Sequence, residues 1–280
     1  MINNIEKKRG KVYIASFNMR GYWWHNVHNT KTSKRVTNKD IEIINVTSVQ
    51  GKDRAFRKDF SPMTQFSHHF NDIPSKYENY YCFENYWQGG KVFENVDKKK
   101  SDAWWFKQKS GKRRLPVTKG MLIDKTKNWE NKKYNGRVLH SVYEKENEGE
   151  RIIGKDAGES WVMSRKIVYV PEYHKLMKET ESFKKIKKYV DEGNDVIIYD
   201  IDGPRKNIHK YDSKIREAIK DNNKADMKKY KNLKKTEELD CKKITKKILI
   251  EKLNNTKFPF GHCYVVAAGL AGIPLKKYNK

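Results

Sequence analysis

The sequence predicts an α/β fold of the α+β kind, mostly helical around a small sheet, and three observations carry that reading. Three short runs rich in β-branched residues, 11–17 (KVYIASF), 41–49 (IEIINVTSV) and 194–201 (NDVIIYDI), are apolar and bounded by polar or glycine residues, as strands are. Between and after them, apolar residues recur at helical spacing. Aromatic residues make up 12% of the 280, with 7 Trp and 16 Tyr, so a chain that is 34% charged still has the rings to build a core. A disordered polycation would lack them.

The three strands are expected to pair in one parallel or mixed sheet. Their C-terminal ends carry Asn18, Arg20, Thr47, Ser48, Asp200 and Asp202, and such strand ends are where α/β folds place ligands. Residues 83–93 (FENYWQGGKVF) read as a helix with Glu84, Gln88 and Lys91 at i, i+4 and i+7, on one face. Gly89 and Gly90 weaken such a helix by about 1 kcal/mol each, a cost that points to close approach of a backbone or ligand. Residues 181–192 put Phe183, Ile186, Tyr189 and Val190 on one face, and Gly193 supplies a stop. Residues 244–253 carry a stripe of Ile244, Ile248 and Leu253, and 264–270 (YVVAAGL) are apolar all round, as in a buried helix.

With no clear linker, residues 1–280 read as a single domain. The net charge is +26. Two segments hold most of it: residues 98–137, with 14 basic and 3 acidic side chains, and residues 203–257, with 18 and 8. Both read as surface insertions. Clustered cations displace counterions from phosphates, so a polyanionic partner, DNA or RNA included, is expected.

Other classes are excluded. No stretch approaches the ~18–20 apolar residues of a membrane span. The first ten residues are polar and lead into no signal-peptide core. Cys82, Cys241 and Cys263 form no metal-binding or disulfide pattern, which fits a reducing, cytoplasmic setting. His68-His69 has no carboxylate at ligand spacing, so no metal is expected, and no cofactor motif such as a Walker A or GxGxxG run is present. Cys263 opens an apolar helix and reads as a buried thiol rather than a nucleophile. His262 before it could cap that helix or bind an anion there.

The run Glu84-Asn85-Tyr86-Trp87-Gln88-Gly89-Gly90-Lys91 resembles the E-x-[YF]-x-Q-x-x-K signature of the NADAR/YbiA-like family. Asp59-Phe60-Ser61-Pro62-Met63 resembles the aromatic loop that precedes that signature. Gly111-Lys112-Arg113-Arg114-Leu115, then Lys127-Asn128-Trp129-Glu130, resemble its basic segment and tryptophan, and Met163-Ser164-Arg165-Lys166 its Met-x-Arg helix. Phe260-Gly261 stands where the family has Trp-Gly, some 55 residues beyond Asp202. The resemblance covers residues 50–272, as a core interrupted by basic insertions at 98–137 and 203–257. Residues 1–50 form an N-terminal strand extension with no counterpart.

The resemblance implies a hydrolase that cleaves an N-glycosidic bond in a nucleotide, an ADP-ribosyl group or a modified base, in nucleic acid as one option. Glu84 would stabilise the oxocarbenium-like C1, Lys91 would trap the opened sugar as a Schiff base, with Lys52 a second choice, and Asp202 would bind ribose hydroxyls or activate water. Gln88 would orient the substrate. Arg57, Arg113 and Arg114 would hold phosphates, Phe60 and Trp129 would stack on a base, and His262 would contact an anion. The competing expectation is a non-catalytic basic protein that binds nucleic acid through Trp104-Trp105 and the two basic segments. For the 84–91 run alone, the plain alternative is an amphipathic helix with a wet charged face.

Overall fold

The computed structural model describes residues 9–16, 42–46, 54–123, 136–145, 149–153, 157–206, 208–237, 240–256 and 260–275. The expectations for Asn18, Arg20, Thr47, Ser48, Lys52 and Trp129 lie outside the described residues.

In chain order the strands are β1 (Val12–Ser16), β2 (Glu42–Asn45), β3 (Lys91–Phe93), β4 (Val138–Lys145), β5 (Gly149–Ile153), β6 (Val196–Asp200) and β7 (Cys241–Lys243). The helices are α1 (Arg54–Asp59), α2 (Phe83–Gly89), α3 (Lys98–Phe106), α4 (Ala157–Ser164), α5 (Val170–Lys178), α6 (Glu181–Asp191), α7 (Asp212–Lys220), α8 (Lys224–Glu237), α9 (Lys246–Leu253) and α10 (Cys263–Leu270). A π-helical turn, Arg165–Tyr169, joins α4 to α5. The fold is α+β.

The three β-branched runs do form one sheet, in the order β2-β6-β1-β7. Strand β6 lies parallel between β1 and β2, with Val12 and Glu42 both opposite Val196, and β7 runs antiparallel along β1. All five residues of β6 are buried, and a parallel strand covered on both faces reads as such an unbroken apolar run. Helix α10, buried over its whole length, packs on β1 and β6. An antiparallel sheet of β3-β4-β5, which the sequence did not announce, carries the other half of the fold. One apolar core joins the two sheets, running from Ile14, Ile44 and Ile198 through Tyr173 and Val266 to Phe83, Tyr143 and Ile153.

Helix α6 follows its prediction. Phe183, Ile186 and Val190 are buried, and Gly193 closes the end at φ +101°. Its N-terminus is capped by Thr180, whose Oγ1 accepts from the Phe183 amide at 3.3 Å. Thr180→Ala is expected to lower the unfolding free energy by about 1 kcal/mol, read from the urea midpoint at unchanged slope. Helix α9 starts at Lys246, capped by Thr245, so Ile244 falls just outside it.

The two basic segments are more than surface additions. In the first, Trp105, Leu115, Val117, Met121 and Leu122 close over Val96 as a second small core. Trp105 is therefore packing, not a stacking platform. In the second, β7 completes the main sheet, and Leu249 and Leu253 of α9 enter the main core. Helices α7 and α8 pack on each other as a hairpin in which Tyr211 stacks on Tyr230 and Lys234 bonds Asp212 at 2.6 Å. Among the described residues, no helix is long and apolar enough to cross a membrane.

Candidate functional site

Helix α2 has no wet face. Phe83, Glu84, Asn85, Tyr86, Trp87 and Gly89 are buried, so the plain amphipathic helix does not describe this segment. The helix ends at Gly89, and Lys91 opens β3 rather than a third helical turn. Its long side chain still folds back onto the helix. Lys91 Nζ donates to Gln88 Oε1 at 2.6 Å, and Gln88 Nε2 donates to Glu84 Oε1 at 2.8 Å. The orientation of the amide follows from chemistry: an ammonium only donates and a carboxylate only accepts, so oxygen faces the lysine. The glycine pair answers a different need from the one expected. A Cβ at Gly89 would come within 2.7 Å of the Tyr80 ring, and one at Gly90 within 2.2 Å of the Tyr143 ring. Two tyrosines, rather than a ligand, approach there.

Glu84 is 9% exposed and Lys91 7%. Burial pushes the Glu84 carboxyl above its usual range, against the opposing effects of Gln88, Lys91, Arg113 and His262. Burial likewise pushes Lys91 down to about 8, opposed by Glu84 and reinforced by Arg165. Each group loses more to dehydration than the pair regains by attraction. At pH 7, roughly a tenth of Lys91 is then free amine. The Lys91 ammonium also lies 4.6 Å from the centre of the Trp87 ring and 4.9 Å from that of Trp161.

The sign of the pH effect on folding is fixed by this shift. Between about 8 and the unfolded value of ~10.4 the unfolded chain holds a proton on Lys91 that the native chain does not, so stability rises with pH there. Wild type is expected to gain stability relative to Lys91→Met by up to ~1.4 kcal/mol per pH unit in that window, read from urea unfolding at pH 7.5 and 9.5.

Lys91 and Gln88 open onto a cavity of about 530 Å³ whose wall also includes Phe93, Trp161, Arg113 and Arg114. Glu84 is not among its lining residues; Gln88 stands between the carboxyl and the cavity. The two arginines arrive by a local device. The buried Asn85 donates to the Ser110 carbonyl at 3.1 Å and accepts from the Lys112 amide at 2.7 Å, pinning the 110–112 loop to α2. Trp161 comes from α4, and Arg165 sits on the same ring, its guanidinium 4.7 Å from the centre.

Asp202 lies in the turn that ends β6, where the Gly203 amide donates to the Asp200 carbonyl at 3.1 Å. Burial and the neighbouring Asp200 raise its carboxyl, while His262, Arg113 and Arg205 lower it. Glu84 and Asp202 therefore share Arg113 and His262 as charged neighbours, although Asp202 does not line the cavity.

Other expected contacts fall elsewhere. Phe60 is fully buried, packed on Phe56 and Phe183, so its ring is core and cannot stack on a base. Its loop still reaches the site, because the Pro62 carbonyl accepts from the Glu84 amide at 2.8 Å. Arg57 is buried in α1 and is not among the cavity's lining residues. His262 makes no side-chain cap on α10. Its Nε2 instead donates to the Val46 carbonyl, and its Nδ1 lies 3.3 Å from Asp200, tying β2 to β6. Cys263 is buried, and burial raises its thiol, with Asp200 and Asp202 adding to the effect. His68 does have a carboxylate partner, Asp59 at 2.7 Å, which also accepts from the Ser182 amide. Among the described residues no group of three or more His, Cys, Asp or Glu side chains is placed to hold a metal.

Sequence reasoning missed Trp161 and the clamp role of Asn85, and named Arg165 only within the Met163-Ser164-Arg165-Lys166 run, without a role. Trp161 and Arg165 are four residues apart, a helical neighbour spacing that signals a shared face. No family model matches the chain, and no curated protein or solved structure does either.

Proposed function

We propose that the chain is an N-glycosidase-like hydrolase, acting on the ribosyl–base bond of a nucleotide, an ADP-ribosyl group or a modified base, with Lys91 as the group that reacts. The observation that carries this reading is a buried lysine, held by Gln88 with Glu84 behind it, opening onto a cavity that also presents two arginines and an indole. The arginines suit phosphate oxygens and the aromatic wall suits a base. The unprotonated Lys91 attacks C1 of the ribosyl group, and the bond from C1 to the base breaks. The base leaves with a proton. The sugar ring opens to a Schiff base on Lys91, and water hydrolyses this to free the sugar and restore the amine. Glu84, whose carboxyl burial pushes above its usual range, stands behind Gln88 as the group that exchanges a proton in these steps. Asp202, which shares Arg113 with Glu84, would meet the ribose hydroxyls.

The test is to incubate the protein with free nucleotides, ADP-ribose conjugates and ADP-ribosylated DNA, and to follow free base or released sugar by chromatography. Release from one member of the panel supports the reading. Steeply salt-dependent nucleic-acid binding without release from any of them overturns it in favour of a binding protein, for which Lys224, Lys228 and Lys231 along the exposed side of α8 would supply phosphate contacts.

A further inference from the structure

We infer that Arg165, seated on the same Trp161 indole that faces Lys91, is the positioning residue that keeps the Lys91 side chain supplied as free amine. The inference rests on Lys91 being the reactive group, but it concerns a property of the resting protein that can be read without substrate.

The geometry is specific. Arg165 is fully buried, at the first position of the π-helical turn. Its Nη1 donates to the Asn255 carbonyl at 2.6 Å, and the Leu253 carbonyl lies 3.5 Å away. The guanidinium also faces the Phe260 ring at 5.9 Å. It is therefore held by the backbone at the end of α9 and by two rings, in one place. The Trp161 ring centre is 4.7 Å from this cation and 4.9 Å from Lys91 Nζ. The two cations are thus at most ~10 Å apart, about one Debye length in water, and both lie against the same indole. A π-turn is a rare backbone form, frequent at functional positions.

The charges around Lys91 pull in opposite directions. Glu84, through Gln88, favours the ammonium, as do the faces of Trp87 and Trp161. Arg113 and Arg114 line the same cavity but are exposed, so water screens them. Ser141, opposite Lys91 on β4, is neutral. Arg165 is a buried cation on this side of the balance: burial pulls its guanidinium down to about 10, which still leaves it charged where Lys91 titrates. It also occupies the Trp161 ring that would otherwise serve the ammonium alone.

The experiment is reductive methylation of the whole protein with formaldehyde and cyanoborohydride, in short pulses from pH 6 to 10, with Lys91 quantified by peptide mass spectrometry. Wild type should show a midpoint near 8 for this lysine. In Arg165→Gln the midpoint should rise by about one pH unit, so labelling at pH 7 falls roughly tenfold. In Arg165→Lys, which keeps the charge, it should stay within a few tenths of wild type. A folded Arg165→Gln with an unchanged midpoint overturns the inference, and so does an Arg165→Lys that moves as far as the neutral variant. Should Arg165→Gln not fold, Arg165→Met decides: it keeps the side-chain volume and removes the charge, so the midpoint should rise by about one pH unit, and no rise overturns the inference. Loss of glycosidase activity in the substrate panel would leave each of these readings intact.

Discussion

If Lys91 is the reacting group, Lys91→Met is expected to leave the chain folded and to lower base release at least ~10³-fold, the scale on which a covalent nucleophile is missed. Methionine suits the site because it keeps the volume and removes only the amine, whose contacts are Gln88 and two indoles. A second readout separates chemistry from binding. Borohydride added during turnover should fix a sugar adduct on Lys91 in wild type and none in the variant. Unchanged release in Lys91→Met, or an adduct mapped to another lysine, removes Lys91 from the reaction.

Glu84→Gln has the second largest expected effect, a fall of about 10²–10³-fold. The substitution preserves size and one hydrogen-bonding oxygen, so Gln88 keeps an acceptor. What it removes is the group that can give and take a proton behind that amide. Binding of a non-cleavable nucleotide should stay within a few-fold, because Glu84 does not line the cavity. Release at the wild-type rate would show that the carboxyl only braces Gln88.

The residues of the site were more legible than their geometry. The run from Glu84 to Lys91 stood out because a carboxylate, an amide and an ammonium sat among aromatics at helical spacing. The helix stops two residues before Lys91, and the contact is made because a four-carbon side chain reaches back from the first residue of a strand. The strands β1, β2 and β6 were legible because burial on both faces needs no alternation, leaving plain β-branched runs. The β3-β4-β5 sheet was not. Its first strand is three residues long, and Val138–Lys145 mixes polar and apolar positions, so that even the Asn135-Gly136 turn signal before it did not mark it as a strand. Trp161 and Arg165 belong to the site only because α4 packs beside β4, a long-range contact that periodicity cannot carry. Phe60 could equally have been a platform or core from sequence. Its neighbours Phe56 and Phe183, the second from another helix, decide for core.

The central position of β6 has a consequence for biosynthesis. Strands β1 and β2 do not pair with each other; each pairs along an opposite edge of β6, 184 residues later in the chain for β1 and 154 for β2. At ~5–20 residues per second the ribosome takes on the order of ten seconds to deliver that partner. For that interval the two earliest strands carry unsatisfied edges rich in isoleucine and valine, the kind of edge that recruits other chains. Strands β1 and β2 are made long before they find their places, so the yield of native protein should depend on translation speed and on chaperones that shield such unpaired strands.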